Sequence, residues 1–271
     1  MRSYNRLEQC SGANHGGYAL AVAESRSPSM SSGPVLFAGD PHRNFTPILR
    51  ACLALDAGTL ILVGDCDCPE PLPAIMAPLL RAGWQVKWIL GNHDTETEQS
   101  FDHLVAAHPD GDLGLRVTEI AGMRVAGLPG VFKPRVWYPR ADEPGARIDP
   151  PRFRTRTEFL GSLRPDEHWR GGLPLWHRDT IFPEDIDRLH GERFDILVAH
   201  EAPSTHRHGF SVLDELARTA GARLIVHGHH HESYTAVLDG GIMVRGLRLA
   251  EPWQLHRDHL RQTVRDVRLV P

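Results

Sequence analysis

The chain has 271 residues, 41% of them hydrophobic and 24% charged, enough for one large core or a core with a small cap. A formal net charge of −4 leaves no global basic field to draw a nucleic-acid or membrane-surface partner, and no uninterrupted apolar run is long enough to span a bilayer. Cys10, Cys52, Cys66 and Cys68 are too few and too irregular for a disulfide framework and the N-terminus lacks an apolar signal core, so a reducing cytoplasm is the expected compartment.

Residues 1–33 are polar and small and are expected to form a disordered tail ahead of one domain spanning 34–271. Val35–Ala38 reads as a buried strand ending in Gly39-Asp40-Pro41-His42, followed by a helical pattern over Pro47–Leu55. Leu60–Val63 is a second strand ending in Gly64-Asp65, with a helix expected over Leu72–Ala82. A third strand, Val86–Leu90, runs into Gly91-Asn92-His93-Asp94 and a helix over Glu98–Ala107. Arg116–Glu119 and Met123–Ala126 read as a hairpin across Ala121-Gly122. After a long insertion, residues 131–193, the strand Ile196–Val198 ends at Ala199-His200. A helix over Val212–Ala220 precedes the strand Leu224–Val226, which ends in Gly228-His229-His230-His231. Tyr234–Leu238 and Ile242–Arg245 read as a second hairpin, and residues 249–271 as a C-terminal extension. The alternation of strands and helices predicts an α/β fold with a largely parallel or mixed sheet.

Five times, then, an Asp, Asn or His follows a buried strand, where open α/β sheets place their ligands. Carboxylates, one amide oxygen and several imidazoles gathered there suit a pair of divalent first-row metal ions. Any one of these segments taken alone can also be read as a turn or helix cap, and His227–His231 as a surface metal-binding tract. In order and in strand context they resemble the calcineurin-like metallophosphoesterase family over nearly all of residues 34–248.

The resemblance implies a sandwich of two mixed β-sheets flanked by helices, with 131–193 inserted between the third and fourth motifs. It implies that Asp40, His42 and His231 bind one metal, that Asn92, His200 and His229 bind the other, and that Asp65 bridges them. Manganese is the expected metal, with iron or zinc as alternatives, and a metal-bridging hydroxide is the implied nucleophile on a phosphoester. His93 resembles the family histidine that protonates the leaving oxygen; Asp94 either orients it or caps the helix that follows. His229 and His231, two apart, are expected on one side of an extended segment, with His230 and His227 facing away. The second motif departs from the pattern, with Cys68 where the family often has Asp and Asp67 one residue early. Cys66 and Cys68 read as ordinary loop cysteines rather than a redox pair.

The insertion opens with seven basic residues against three acids between Val131 and Arg156, interleaved with Trp137, Tyr138 and Phe153. One reading is a substrate lid in which Arg152, Arg154 and Arg156, alternate residues of an extended segment, clamp phosphate for a nucleotide or other phosphoester. The other is a structural extension whose arginines pair with its own acids. The expected activity is a phosphatase or phosphodiesterase; nuclease, pyrophosphohydrolase and a non-catalytic metal-dependent binding module are the alternatives, and oligomeric state is left open.

Overall fold

The computed structural model describes residues 33–140 and 149–260. The expected N-terminal tail therefore lies outside the described residues apart from Gly33, and the C-terminal extension is described to Leu260.

In chain order the regular elements are β1 (Val35–Ala38), α1 (Thr46–Leu53), β2 (Thr59–Leu62), α2 (Leu72–Ile75), α3 (Ala77–Arg81), β3 (Gln85–Trp88) and α4 (Glu98–Phe101). There follow β4 (Val117–Ile120), β5 (Met123–Leu128), α5 (Arg156–Gly161), α6 (Pro183–His190), β6 (Ile196–Ala199) and α7 (Ser211–Ala220). The chain closes with β7 (Leu224–His227), β8 (Tyr234–Val237), β9 (Met243–Gly246) and β10 (Pro252–Gln254).

Two mixed sheets result. The first has the order β10-β1-β2-β3, with β1, β2 and β3 parallel and β10 antiparallel to β1. The second has the order β4-β5-β6-β7-β9-β8, with β5, β6, β7 and β9 parallel and β4 and β8 as antiparallel edges. Strand periodicity explains how they stack. Val35 and Phe37 of β1 face Ile196, Val198 and Val226 of the second sheet in a shared inner core, while Leu36 and Ala38 face Ile48 and Cys52 of α1. On the far side Leu197 and Ile225 pack against Leu189 of α6 and Leu213 and Leu216 of α7. The central strands, buried on both faces, carry continuous apolar runs rather than alternating ones, which is why they are legible as strands.

The helices are less regular than their periodicity suggests. The expected helix over Leu72–Ala82 breaks at Met76 into α2 and α3, because Pro78 has no amide hydrogen to continue the ladder. The one over Glu98–Ala107 leaves α-geometry after Phe101 and finishes as a π-turn, Asp102–Ala106. The insertion holds α5, α6 and several 3₁₀ turns around a small core of its own: Val136, Phe159, Leu163, Leu173 and Phe182.

Candidate metal centre

The parallel strands of both sheets end on one rim, so loops far apart in sequence converge there. The first sheet supplies Asp40 and His42 after β1, Asp65 after β2, and Asn92 and His93 after β3; the second supplies His200 after β6 and His229 and His231 after β7. These loops turn sharply. Asp40, His42, Asp65, His229 and His231 all have positive φ, from 23° to 69°, a region that costs a non-glycine residue of order 1 kcal/mol or more and persists where the surroundings over-determine it. Two glycines show how tightly the loops meet. A Cβ on Gly91 would lie 2.2 Å from Asp65 Oδ1, and one on Gly228 would lie 2.2 Å from Asp40 Oδ1.

Asp65 sits at the centre, only 1% exposed. Its Oδ2 is 3.3 Å from His200 Nε2, 3.6 Å from His42 Nε2 and 4.0 Å from His93 Nε2, and its Oδ1 accepts the His93 amide at 2.8 Å. Around His42, the His231 Nε2 lies 3.3 Å away and itself stands 3.6 Å from Asp40 Oδ2. Around His200, Asn92 Oδ1 lies 3.3 Å from Nε2, and the His229 ring centroid is 5.0 Å off. His200 Nδ1 donates to the Val63 carbonyl at 2.8 Å, which turns Nε2 toward Asp65 and Asn92.

The electrostatics are those of a site built for a cation. Asp40 is fully buried, and neither of its carboxylate oxygens makes a hydrogen bond of ordinary geometry. Burial pushes its carboxyl up to about 7, with the His200 charge opposing only in part. Burial also pushes Asp65 up, but His200 more than offsets this and holds it well below the usual carboxylate range. His200 shows the complement: burial disfavours its charge, yet Asp65 and Asp40 outweigh that and raise it to about 10. Burial lowers His229 to about 3 and also lowers His42 and His231, leaving imidazoles with lone pairs to give. Three groups bring their donor atoms within 4.8 Å of one another: His42, Asp65 and His93; Asp65, His200 and His229; and Glu201, His229 and His230.

Several expectations need correction. His229 and His231 do not reach the site by strand alternation, since β7 ends at His227 and both residues sit in left-handed turns. His230 consequently does not point away: it stacks on His206 at 4.0 Å and faces the cleft beside His229. Asp94 does not touch His93. Its buried carboxylate accepts the amides of Gly91 and Asp67, both at 2.9 Å, and ties the second and third loops together; the partner of His93 is Glu96, 2.8 Å from Nδ1. Asp67, the early acid of the second motif, holds Arg43 at 2.6 Å and accepts from Ser100 at 2.9 Å. Cys66 and Cys68 are buried free thiols packed in the core beside the first sheet.

The three arginines do not share one side of an extended segment, because Arg156 opens α5. Arg156 grips the buried Asp185, with 2.9 Å on one arm, and Glu184; Arg154 pairs with Asp187 at 3.1 Å; the Arg152 amide donates to Val136. The cleft beside the rim is lined by Lys133 and Trp176, a basic and an aromatic residue of the insertion that the lid reading took in, and by Glu96 and Glu201, which sequence reasoning missed. Glu201 is 3% exposed, accepts the Phe132 amide at 3.1 Å and is raised to about 7 by burial. Its place directly after His200 was the one available signal.

Among solved structures, the chain is similar to TT1561 of Thermus thermophilus, at 13% identity and a TM-score of 0.48 over 80% of this chain and 90% of that one. It is also similar to a phosphopantetheinyl hydrolase of Mycobacterium tuberculosis, at 17% identity and a TM-score of 0.45 over 88% of this chain and 98% of that one. An uncharacterized protein of Haemophilus influenzae strain Rd is 36% identical over 202 residues, 74% of this chain and 84% of the relative. Residues 33–233 match the family described as calcineurin-like phosphoesterase. With a match that covers β1 to β7 and all five strand-end motifs, the chain belongs to the calcineurin-like phosphoesterase family, metal-dependent hydrolases of phosphoester bonds.

Proposed function

We propose that this protein hydrolyses phosphoesters with two divalent ions, manganese first among the candidates. In this reading Asp40, His42 and His231 hold one ion, Asn92, His200 and His229 hold the other, and Asp65 serves both. The observation that carries it is the single buried carboxylate of Asp65 with His42 Nε2 at 3.6 Å and His200 Nε2 at 3.3 Å. The oxygens of Asp40, which make no hydrogen bond of ordinary geometry, add to it, since a buried carboxylate so placed is costly unless positive charge accompanies it. Ions held by these residues would supply a water acidified to near neutrality and positive charge against the phosphoryl oxygens.

The chain's own groups do the rest. His93, 39% exposed on the rim, carries a proton to the leaving oxygen from Nε2, while Glu96 at Nδ1 fixes the ring and supports its positive charge. Asp94 keeps the Asn92–His93 turn in place through the Gly91 amide. No side-chain nucleophile is needed, so phosphatase and phosphodiesterase chemistry share this arrangement.

The test is stoichiometry. Protein purified free of metal and reconstituted with manganese should approach two equivalents and hydrolyse activated phosphoesters, and Asp65→Asn should lose at least one equivalent. A single tight zinc ion indifferent to that substitution would sink the assignment.

A further inference from the structure

We infer that the insertion builds a subsite beside the metal rim for a planar, uncharged ring on the leaving group of the substrate. This deepens the hydrolase reading and rests on it. A cleft of about 530 Å³ runs from Asn92 and His229 at the metal end to Trp176 and Tyr138 of the insertion, a size suited to a small organic ligand.

Its walls are aromatic and its floor is apolar. Phe132 and Phe210 are buried beneath it with centroids 4.5 Å apart, and Tyr138 stands edge-on to Phe210 at 5.2 Å. Trp176 packs against His177, centroids 3.8 Å apart, with Lys133 and Arg135 at 5.4 and 5.8 Å from its ring, and remains 49% exposed; Tyr138 is 36% exposed. Among the described residues six large hydrophobic side chains are exposed, and these two are the aromatic ones. Both line this cleft. Aromatic surface left open along one cavity is surface on which a ring can stack.

Charge argues against a second phosphate there. Lys133, the cleft's lysine, already donates to Asp179 at 2.8 Å and to the Trp176 carbonyl. Glu96 and Glu201 add carboxylates to the lining. Of the described arginines of the insertion, Arg156 is held by Asp185 and Glu184 and Arg170 by Asp102 at 2.6 Å; Arg135, 5.8 Å from the Trp176 ring, is paired with Glu167 at 3.3 Å, and Arg140 beside His208 donates to the Arg207 carbonyl. A leaving group bearing further phosphates would meet two acids and no free cation among the described lining residues. An uncharged ring, such as a nucleobase or a simple arene, meets aromatic walls.

The test uses two phosphonates that cannot be hydrolysed, benzylphosphonate and ethylphosphonate, titrated into manganese-loaded protein by calorimetry. The ring should improve Kd by about tenfold or more, the scale on which a stacked ring contributes. Trp176→Ala and Tyr138→Ala should each reduce that advantage and leave ethylphosphonate binding unchanged, which also reports that the fold is intact. Benzylphosphonate should quench tryptophan fluorescence in the wild type but not in Trp176→Ala. Equal affinities in the wild type, an advantage that survives both substitutions, or no binding of either phosphonate overturns the subsite. Because the hydrolase reading stands or falls on metal stoichiometry and turnover of p-nitrophenyl esters, the two failures are separable.

Discussion

At the strand ends Asp40 and Asp65 are fully or almost fully buried, packed against glycines, on backbone held at positive φ. In the insertion, charged groups of the same kinds lie open: Arg154 is 60% exposed and its partner Asp187 68%, and Arg164 is 75% exposed beside Asp166 at 72%. Exposed pairs are well solvated and contribute little, whereas a buried carboxylate must be satisfied by something that brings positive charge. Burial rather than charge density separates the site from the scaffold. Basic residues clustered in the sequence of the insertion say little about anion binding once Lys133, Arg135, Arg154 and Arg156 are each held by an acid.

That contrast can be broken first at Asp65. Asp65→Asn keeps the shape but removes the charge that serves both halves of the centre, and turnover should fall by well over about 10²-fold, beyond what an outer-shell partner of a metal site usually costs. Retention of wild-type turnover would show the strand-end carboxylates to be structural, like the acids of the insertion. His93→Ala should come next. Metal content should hold while turnover of alkyl phosphoesters drops by about 10² to 10⁴, with a smaller loss on p-nitrophenyl esters whose leaving group departs without a proton. Equal losses on both would assign His93 to binding instead.

Within the insertion the same logic ranks the ion pairs. Arg156 faces an Asp185 side chain that is 3% exposed, so Arg156→Ala strands a buried carboxylate and should cost about 1–3 kcal/mol by urea denaturation, with kcat/KM on small diesters unchanged. A shift in KM without loss of stability would return it to a substrate role.

Acid should weaken the folded chain through His177, which is fully buried and lowered to about 3 from an ordinary 6.5 by burial, with Lys133 and Arg135 adding to it. Above pH 6.5 it is neutral both folded and unfolded. Between 6.5 and about 3 the unfolded chain takes up a proton that the folded one refuses, so stability falls as pH falls. Denaturant midpoints measured from pH 7.5 to 5 should show this slope, and His177→Gln, which retains a polar partner for Thr180, should flatten it. An unchanged slope would place the acid sensitivity in other buried histidines such as His227, lowered to about 4. The smallest effect is expected at Arg164→Ala, about 0–1 kcal/mol, since both partners are open to solvent; a larger loss would undo the contrast from the other side.

Most of the strands and both hairpins were legible in the sequence because their apolar runs are short, β-branched and punctuated by glycine, as at Val35–Ala38 and Leu224–Val226. The helix α5 went unread although the capping box Thr155 to Glu158 marks its start, because the alternating arginines around it suggested an extended segment. β10 gave no such sign, being three half-buried residues with no periodicity whose pairing with β1 depends on the partner strand.

Residue type and order alone determined which side chains gather at the rim, because a parallel strand delivers whatever follows it to the same edge of the sheet. The orientation of each group was decided only by tertiary structure. His230 turns toward the cleft because left-handed backbone at His229 and His231 cancels the two-residue alternation; His93 is paired with Glu96 and not Asp94 because two backbone amides claim the buried carboxylate first. The arginines of the insertion were settled the same way. Whether a guanidinium meets a substrate or an acid depends on which helix folds against it, and α6 brought Glu184, Asp185 and Asp187 to Arg154 and Arg156 from about thirty residues down the chain, too far for any local pattern to record.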